Sequence, residues 1–232
     1  MICKIKKLWK LFVLSPRGKY LVFSFFFFLV FGFVVEIIND FVLSEECMEI
    51  GLSIPLGAAF MIVSPSMFMQ AMNGYGIYSF CTSSSKRRKM LLDYPVWISG
   101  IFMIIIYTIV VVLRFVAISL QPEYEMIAIL QLLFVDCIIV IVGAYSGMAY
   151  KYFWITYVVF IVAYTGILIV MINADTLLSH GFLAKAVAVS FPVIVVIGYV
   201  AIAVSIFLNY IFARFLYRKP TSKWSVYGVR KR

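Results

Sequence analysis

Long stretches without a charged side chain constrain this sequence more than any other feature. The longest extends from residue 50 to residue 85, and several others are near the roughly 20 apolar residues that a helix needs to cross a bilayer. Hydrophobic residues make up 65% of the 232-residue chain and charged residues only 13%, against about half and a quarter in soluble domains. Four cysteines are too few for a disulfide scaffold, and the abundant Phe, Ile and Val exclude disorder. The composition therefore predicts an integral membrane protein.

The charge-free runs divide the chain into an all-α, polytopic fold with six transmembrane helices. A cytoplasmic segment, 1–19, precedes the six-helix domain of residues 20–213, and a basic cytoplasmic tail, 214–232, follows it. The predicted spans are residues 20–38, 51–75, 95–117, 126–149, 152–173 and 186–213.

Basic side chains orient these spans, because cytoplasmic loops are enriched in Lys and Arg. All but Arg114 and Lys185 of the 20 basic residues lie before the first span, in the loop after the second, at Lys151 or in the tail. The opposite side carries most of the acidic residues. We therefore expect a multi-pass protein of the cell membrane with both termini in the cytoplasm. Arg114, near the outer end of the third span, is expected to pair with Glu123 or Glu125 in the short loop that follows.

The first residues form a basic amphipathic stretch. Trp9 and Phe12 fall on one helical face with Ile2 and Ile5, while the lysines point elsewhere. Such a helix lies in the headgroup layer; the simpler alternative, a topology anchor without a further role, stays open. No small-residue cleavage site follows the first span, which predicts a retained anchor and not a cleaved signal peptide.

Two further patterns predict how helices bend and pack. Pro55 and Pro65 predict a bent second span whose polar lower half, with Gln70, faces protein or water. Gly143 and Gly147 have the spacing of small residues that lets two membrane helices approach closely.

The loop after the second span places three serines before a basic cluster. It is a candidate docking site for a partner protein. Electrostatic attachment of the loop to anionic lipid explains the same residues more simply, and composition alone favours that interpretation. The residues of this candidate docking loop are Ser83, Ser84, Ser85, Lys86, Arg87, Arg88 and Lys89.

Asp136 is the strongest polar feature inside the membrane, and Gln131 precedes it on the same span. An ionisable group at that depth costs at least about 2.5–3.5 kcal/mol on insertion scales, so we expect it to face the bundle interior. Its role is either functional, as a substrate contact or a protonatable switch, or structural, as a hydrogen-bonded acid that fixes helix packing. The residues leave both interpretations open.

Catalytic motifs are missing from the sequence. It has no P-loop, no H-E-x-x-H, no G-x-S-x-G and no paired-carboxylate motif of an intramembrane protease. His180 is the single histidine and is expected to be an exposed loop residue, so neither a metal site nor a cofactor site is predicted. The basic clusters flank membrane helices, which favours lipid over nucleic acid. We expect no enzymatic activity from the chain itself.

The layout resembles the permease subunit of an ABC-2-type transporter. This resemblance depends on the six spans, the cytoplasmic termini, the N-terminal interfacial helix and the polar-then-basic order of residues 83–88. The sequence departs from the family in one respect: the Leu-Pro of the family's loop is missing, and a proline, Pro95, comes only later. The resemblance implies docking to separate ABC ATPase subunits, pairing with a second permease, and export of a peptide or amphiphilic compound. A carrier or substrate-binding subunit that works without this docking, or a membrane immunity or assembly protein, is the alternative.

Overall fold

The computed structural model describes residues 6, 9–10, 12–15, 18–41, 55–73, 89–149, 153–172 and 189–217. Every regular element within those ranges is helical, in agreement with the all-α prediction. The α-helices are α1 (Gly18–Phe41), α2 (Leu56–Val63), α3 (Ser66–Asn73), α4 (Tyr94–Leu120), α5 (Glu125–Ala149), α6 (Phe153–Ile172) and α7 (Phe191–Tyr217). A π-helical turn, Lys89–Asp93, leads into α4, and a 3₁₀ turn, Pro122–Tyr124, joins α4 to α5.

The described part of the chain contains four helices that are long and apolar enough to cross a membrane. They are Gly18–Ile38, Tyr94–Leu120, Pro122–Ala149 and Phe191–Leu216. Leu56–Ala71 and Ile161–Val170, in the predicted second and fifth spans, are shorter apolar helices. The protein is therefore membrane-embedded by the length and composition of these helices, and the count of six spans stays a prediction.

The predicted bend in the second span is confirmed at Ser64 and Pro65. These two residues form a turn between α2 and α3, and the Ser64 hydroxyl donates to the Met61 carbonyl at 2.7 Å. Proline has no backbone N–H and crowds the preceding turn, so the helix breaks where Pro65 enters. The lower piece faces protein as expected, because the Gln70 amide donates to the Tyr145 hydroxyl on α5 at 3.1 Å.

Helix α5 is the most enclosed of the long helices, with most of its side chains buried. α7 packs directly against it at the two glycines that predicted close approach. A methyl group added at Gly143 would collide with Ser205, and one added at Gly147 would lie 2.7 Å from the Asn209 carbonyl oxygen. That prediction is confirmed. α1, α4 and α7 instead present many exposed apolar side chains on their outer faces, as a lipid-facing surface requires.

One end of the bundle is built around an aromatic cluster of Phe12, Phe25, Phe68 and Phe102. The Phe12 ring is completely buried, and it packs at a tilt against the Phe68 ring with 4.7 Å between centroids. The same apolar core includes Leu92 of the π-helical turn and residues near the end of α7. The N-terminal segment, the start of α4 and the end of α7 therefore meet at one end of the molecule, which we call the basal end.

The N-terminal segment is helical at residues 6, 9–10 and 12–13 and turns at Leu14 and Ser15. Lys6 and Lys10 are exposed, while Phe12 is buried. The amphipathic interfacial helix stays a prediction, since Trp9 of its expected apolar face is exposed. Its apolar face packs on the bundle through Phe12, and Trp9, partly exposed, lies 5.4 Å from that ring.

Candidate functional site in the bundle interior

A buried ion pair joins α1 to α4 at the end of the bundle opposite the aromatic cluster. Arg114 Nη2 lies 2.5 Å from Glu36 Oε1, and both side chains are 0% exposed. Charges withdrawn from water need close pairing and further hydrogen bonds to offset the loss of hydration. The surroundings of both groups supply such bonds.

The second oxygen of Glu36 is held by the first turn of α2. Glu36 Oε2 accepts the backbone N–H of Ala58 at 2.7 Å, and the free N–H groups of a helix start favour a carboxylate. Gly32 and Gly57 let α1 and α2 approach closely enough for this bond. A methyl group added at Gly57 would lie 2.7 Å from Glu36 Oε2 and would collide with the backbone of α1.

Arg114 extends the network toward α5. Its Nη1 donates to the Tyr124 hydroxyl at 3.3 Å, and that hydroxyl donates to Gln131 Oε1 at 2.9 Å. All three side chains are buried. The expected pairing of Arg114 with Glu123 or Glu125 is wrong, because the partner is Glu36 and both loop glutamates are exposed.

The depth of each residue along its helix explains this error. α1 and α4 start at the same end of the bundle, and Glu36 and Arg114 lie about 27 Å and about 30 Å along them at 1.5 Å per residue. Equal depth on two helices that run in the same direction from one end of the bundle was the signal in the sequence, whereas the prediction relied on proximity along the chain. We call Glu36, Ala58, Arg114, Tyr124 and Gln131 the outer clamp.

Asp136 occupies a different environment near the middle of α5. Its side chain is 4% exposed, and both carboxyl oxygens lack a hydrogen-bond partner among the described residues. The expectation that Asp136 faces the bundle interior is confirmed. The surrounding side chains belong to the main apolar core, including Val135 and Ile139.

Tyr107 of α4 and Gly198 of α7 meet at this carboxyl group. A methyl group added at Gly198 would lie 2.6 Å from Asp136 Oδ1 and even closer to the Tyr107 hydroxyl. The glycine therefore brings the backbone of α7 against both polar groups. The Tyr107 ring also packs edge-on against Tyr199, 5.3 Å between centroids. We call Asp136, Tyr107 and Gly198 the three-helix junction.

Asp136 and Gln131 were predicted to form one polar site in the membrane, and the structure places them at two different sites. Both side chains are buried, but Gln131 bonds within the outer clamp while Asp136 faces the three-helix junction. Five residues along an α-helix correspond to a rotation of about 140° beyond one full turn, so the two side chains leave α5 in different directions.

The candidate docking loop lies mostly outside the described residues. Ser83, Ser84, Ser85, Lys86, Arg87 and Arg88 are in that part of the chain, as are His180 and the basic tail beyond residue 217. Lys89 is described, is exposed and opens the π-helical turn. Leu92 of the same turn is completely buried in the basal core, so the end of the loop is anchored to the bundle.

The site as a whole offers carboxyl, guanidinium and phenol groups. Within the described ranges no group of three His, Cys, Asp or Glu side chains is placed to hold a metal ion. Cys137, next to Asp136, is a free thiol on the exposed face of α5. Comparisons of the chain with protein-family models, with curated proteins and with solved structures gave no match.

Proposed function

We propose that the protein is the permease subunit of an ATP-driven ABC transporter that exports a peptide or an amphiphilic compound. In this proposal it crosses the cell membrane six times with both termini in the cytoplasm. Separate ABC ATPase subunits hydrolyse ATP, and a second permease, identical or related, completes the pathway. The chain itself carries no catalysis.

The observation that best supports this proposal is the construction of the basal end. Phe12, Leu92 and Leu216 belong to one buried core, which joins the N-terminal segment, the turn after the candidate docking loop and the end of α7. Lys89 is exposed directly beside that core. A partner that grips the loop would therefore act on several helices at once.

The route of such a movement follows from the packing. The loop continues through the π-helical turn into α4, and Leu92 transmits a displacement to Phe68 of α3 through their shared core. Protein interiors are close-packed, so a displaced side chain moves its neighbours. The outer clamp ties the far ends of α1 and α4 together, and ATP-driven movement at the basal end would rock these helices about it.

Affinity purification from native membranes tests the proposal. We expect the full chain to recover a P-loop ATPase, and the variant with Lys86, Arg87, Arg88 and Lys89 all changed to Gln to lose it. The matched control changes four basic residues of the tail, Lys223, Arg230, Lys231 and Arg232, to Gln and should retain the ATPase. Recovery of the chain without a nucleotide-binding partner would refute the proposal, and equal loss in both variants would assign the loop to lipid binding.

The three-helix junction favours a second candidate, a carrier that binds its substrate through Asp136 without an ATPase. A carboxyl group of 4% exposure near the middle of α5 is where a substrate contact would lie in such a protein. Transport measured in proteoliposomes without ATP would support the carrier. Asp136→Asn should then abolish transport, whereas Glu123→Gln, a change of an exposed carboxylate, should leave it unchanged.

A further inference from the structure

The chemical state of Asp136 is set by its surroundings. Its side chain is 4% exposed and lies among the main apolar core. Within the described residues neither oxygen makes a hydrogen bond of ordinary geometry, and the Tyr107 hydroxyl is the polar group beside them. An ionised carboxylate without a partner in such a place is so costly that the group neutralises instead. The negative charge of the Asp136 carboxylate is neutralised when the group binds a cation. A proton is the smallest cation that can do this.

The polar side chains on the helices packed around this carboxyl group are phenols. Tyr107 of α4 lies beside it, Tyr199 of α7 packs on the Tyr107 ring, and Tyr164 of α6 is partly buried against the same apolar core. Cys137 follows it on α5 and points to the exposed face. Arg114 is bound to Glu36 and does not serve as its counter-ion. Within the described part of the chain, no salt bridge joins a basic side chain to Asp136.

We propose that Asp136 is a proton-binding site linked to the packing of α7: it carries a proton while α7 is packed on α4 and α5, and releases it when α7 moves away. The exchange is the dissociation of one carboxylic O–H into a carboxylate and a hydrated proton. The proposal is independent of the ATPase partner and goes beyond the transport function proposed above.

The geometry at Gly198 explains why a proton fits and a larger cation does not. The α7 backbone comes so close to Tyr107 and Asp136 that one added methyl group would collide with both. A metal ion needs several ligand atoms around it, and no suitable cluster of ligand side chains occurs in the described ranges. A proton needs no additional space, and the Tyr107 hydroxyl is positioned to share it with the carboxyl group.

The direction of the pH effect follows from this linkage. The packed bundle binds one more proton than an arrangement in which water reaches Asp136, so its stability falls as pH rises. Movement of α7 and ionisation of Asp136 then favour each other. In a transporter this would couple opening of the bundle to proton release.

Infrared spectroscopy of the full chain in lipid vesicles tests the proton directly. At neutral pH exposed carboxyl groups are ionised, so we expect the wild-type spectrum to contain the carbonyl stretch of one protonated carboxylic acid, which shifts in D₂O. Asp136→Asn should remove the band, and Glu123→Gln, at an exposed carboxylate, should leave it unchanged. Absence of the band from the wild-type protein, a measurement that needs no variant, would overturn the proposal.

A second experiment tests the link to α7. Gly198→Ala should push α7 away and weaken the band at neutral pH, because water then reaches the carboxyl group. The matched control is Gly166→Ala on α6, where the added methyl group meets no atom within 4 Å and the band should persist. A band of unchanged intensity in Gly198→Ala would overturn the linkage. Neither spectrum depends on an ATPase, so these outcomes are separate from those of the affinity purification.

Discussion

Two buried carboxyl groups in the same bundle are treated in opposite ways. Glu36 is 0% exposed, and its two carboxyl oxygens are bound by Arg114 and by the backbone N–H of Ala58. Asp136 is almost as buried, yet its oxygens have no hydrogen-bond partner in the described part of the chain. Burial alone therefore does not decide the state of an acid.

The difference assigns different tasks to the two regions. The outer clamp pairs its charges within a network that joins five elements, α1, α2, α4, the 3₁₀ turn and α5, and fixes their relative positions, which suits a structural lock. The three-helix junction leaves one acid dependent on a proton and on contact with α7. An acid that is protonated in one arrangement of helices and ionised in another is suited to sense a change between them. Four substitutions, two in each region, test this contrast.

Glu36→Gln should have the largest effect on stability. Removing one partner of a buried ion pair leaves the other charge buried, at a cost of about 3–5 kcal/mol. Reversible unfolding in mixed micelles would measure the loss. Glu123→Gln, at an exposed site, is the control and should change stability by less than about 0.5 kcal/mol. The double variant Glu36→Leu with Arg114→Met should recover most of the loss, and a double variant as unstable as the single one would contradict the clamp.

Gly198→Ala comes next, because it overpacks the three-helix junction. Forcing an extra carbon into a packed core costs typically about 1–3 kcal/mol. The unfolding free energy of this variant should fall by that amount. Gly166→Ala should instead raise stability by up to about 1 kcal/mol, the usual gain when alanine replaces a helical glycine. Equal effects at the two glycines would show that α7 does not approach Tyr107 and Asp136 as described.

Tyr124→Phe should have a smaller effect within the outer clamp. It removes the hydroxyl that accepts from Arg114 and donates to Gln131, and leaving a buried polar group without its bond costs about 1–3 kcal/mol. Because Arg114 keeps Glu36, we expect the lower part of that range. Tyr199→Phe is the control, since its hydroxyl bonds the exposed Thr108 at 3.0 Å. A loss in Tyr199→Phe equal to that in Tyr124→Phe would argue against the clamp.

Asp136→Asn should have the smallest effect at neutral pH, because an amide replaces a neutral acid of the same shape. We expect a change of less than about 1 kcal/mol. The pH profile sharpens the test: wild-type stability should decline as pH rises above about 4, where an unfolded Asp ionises, until Asp136 ionises in the packed bundle. The variant should lack that decline. A loss as large as that of Glu36→Gln would show that Asp136 is ionised and paired in the folded protein.

Sequence patterns predicted several parts of the fold directly. Pro65 placed the break between α2 and α3, because proline cannot continue a helix. Gly143 and Gly147 predicted the contact of α5 with α7, because small residues let backbones approach. Asp136 was expected to face the interior because lipid excludes a charge. Each of these predictions depends on a local property of one helix, and such a property can be read from residues that are close together in the sequence.

Partners across the bundle could not be predicted in the same way. Arg114 had two glutamates nearby in sequence, and the structure pairs it with Glu36, 78 positions away along the chain. No sequence pattern distinguishes Gly198 from the other glycines among the 13 in the chain, although it brings α7 against Tyr107 and Asp136. The composition and the distribution of charges along the sequence determined a membrane-embedded helical protein, because the preference of each residue for lipid or water depends on its own side chain. The assignment of one acid to a salt bridge and another to a proton required the tertiary structure, because both depend on which helices pack at the same depth.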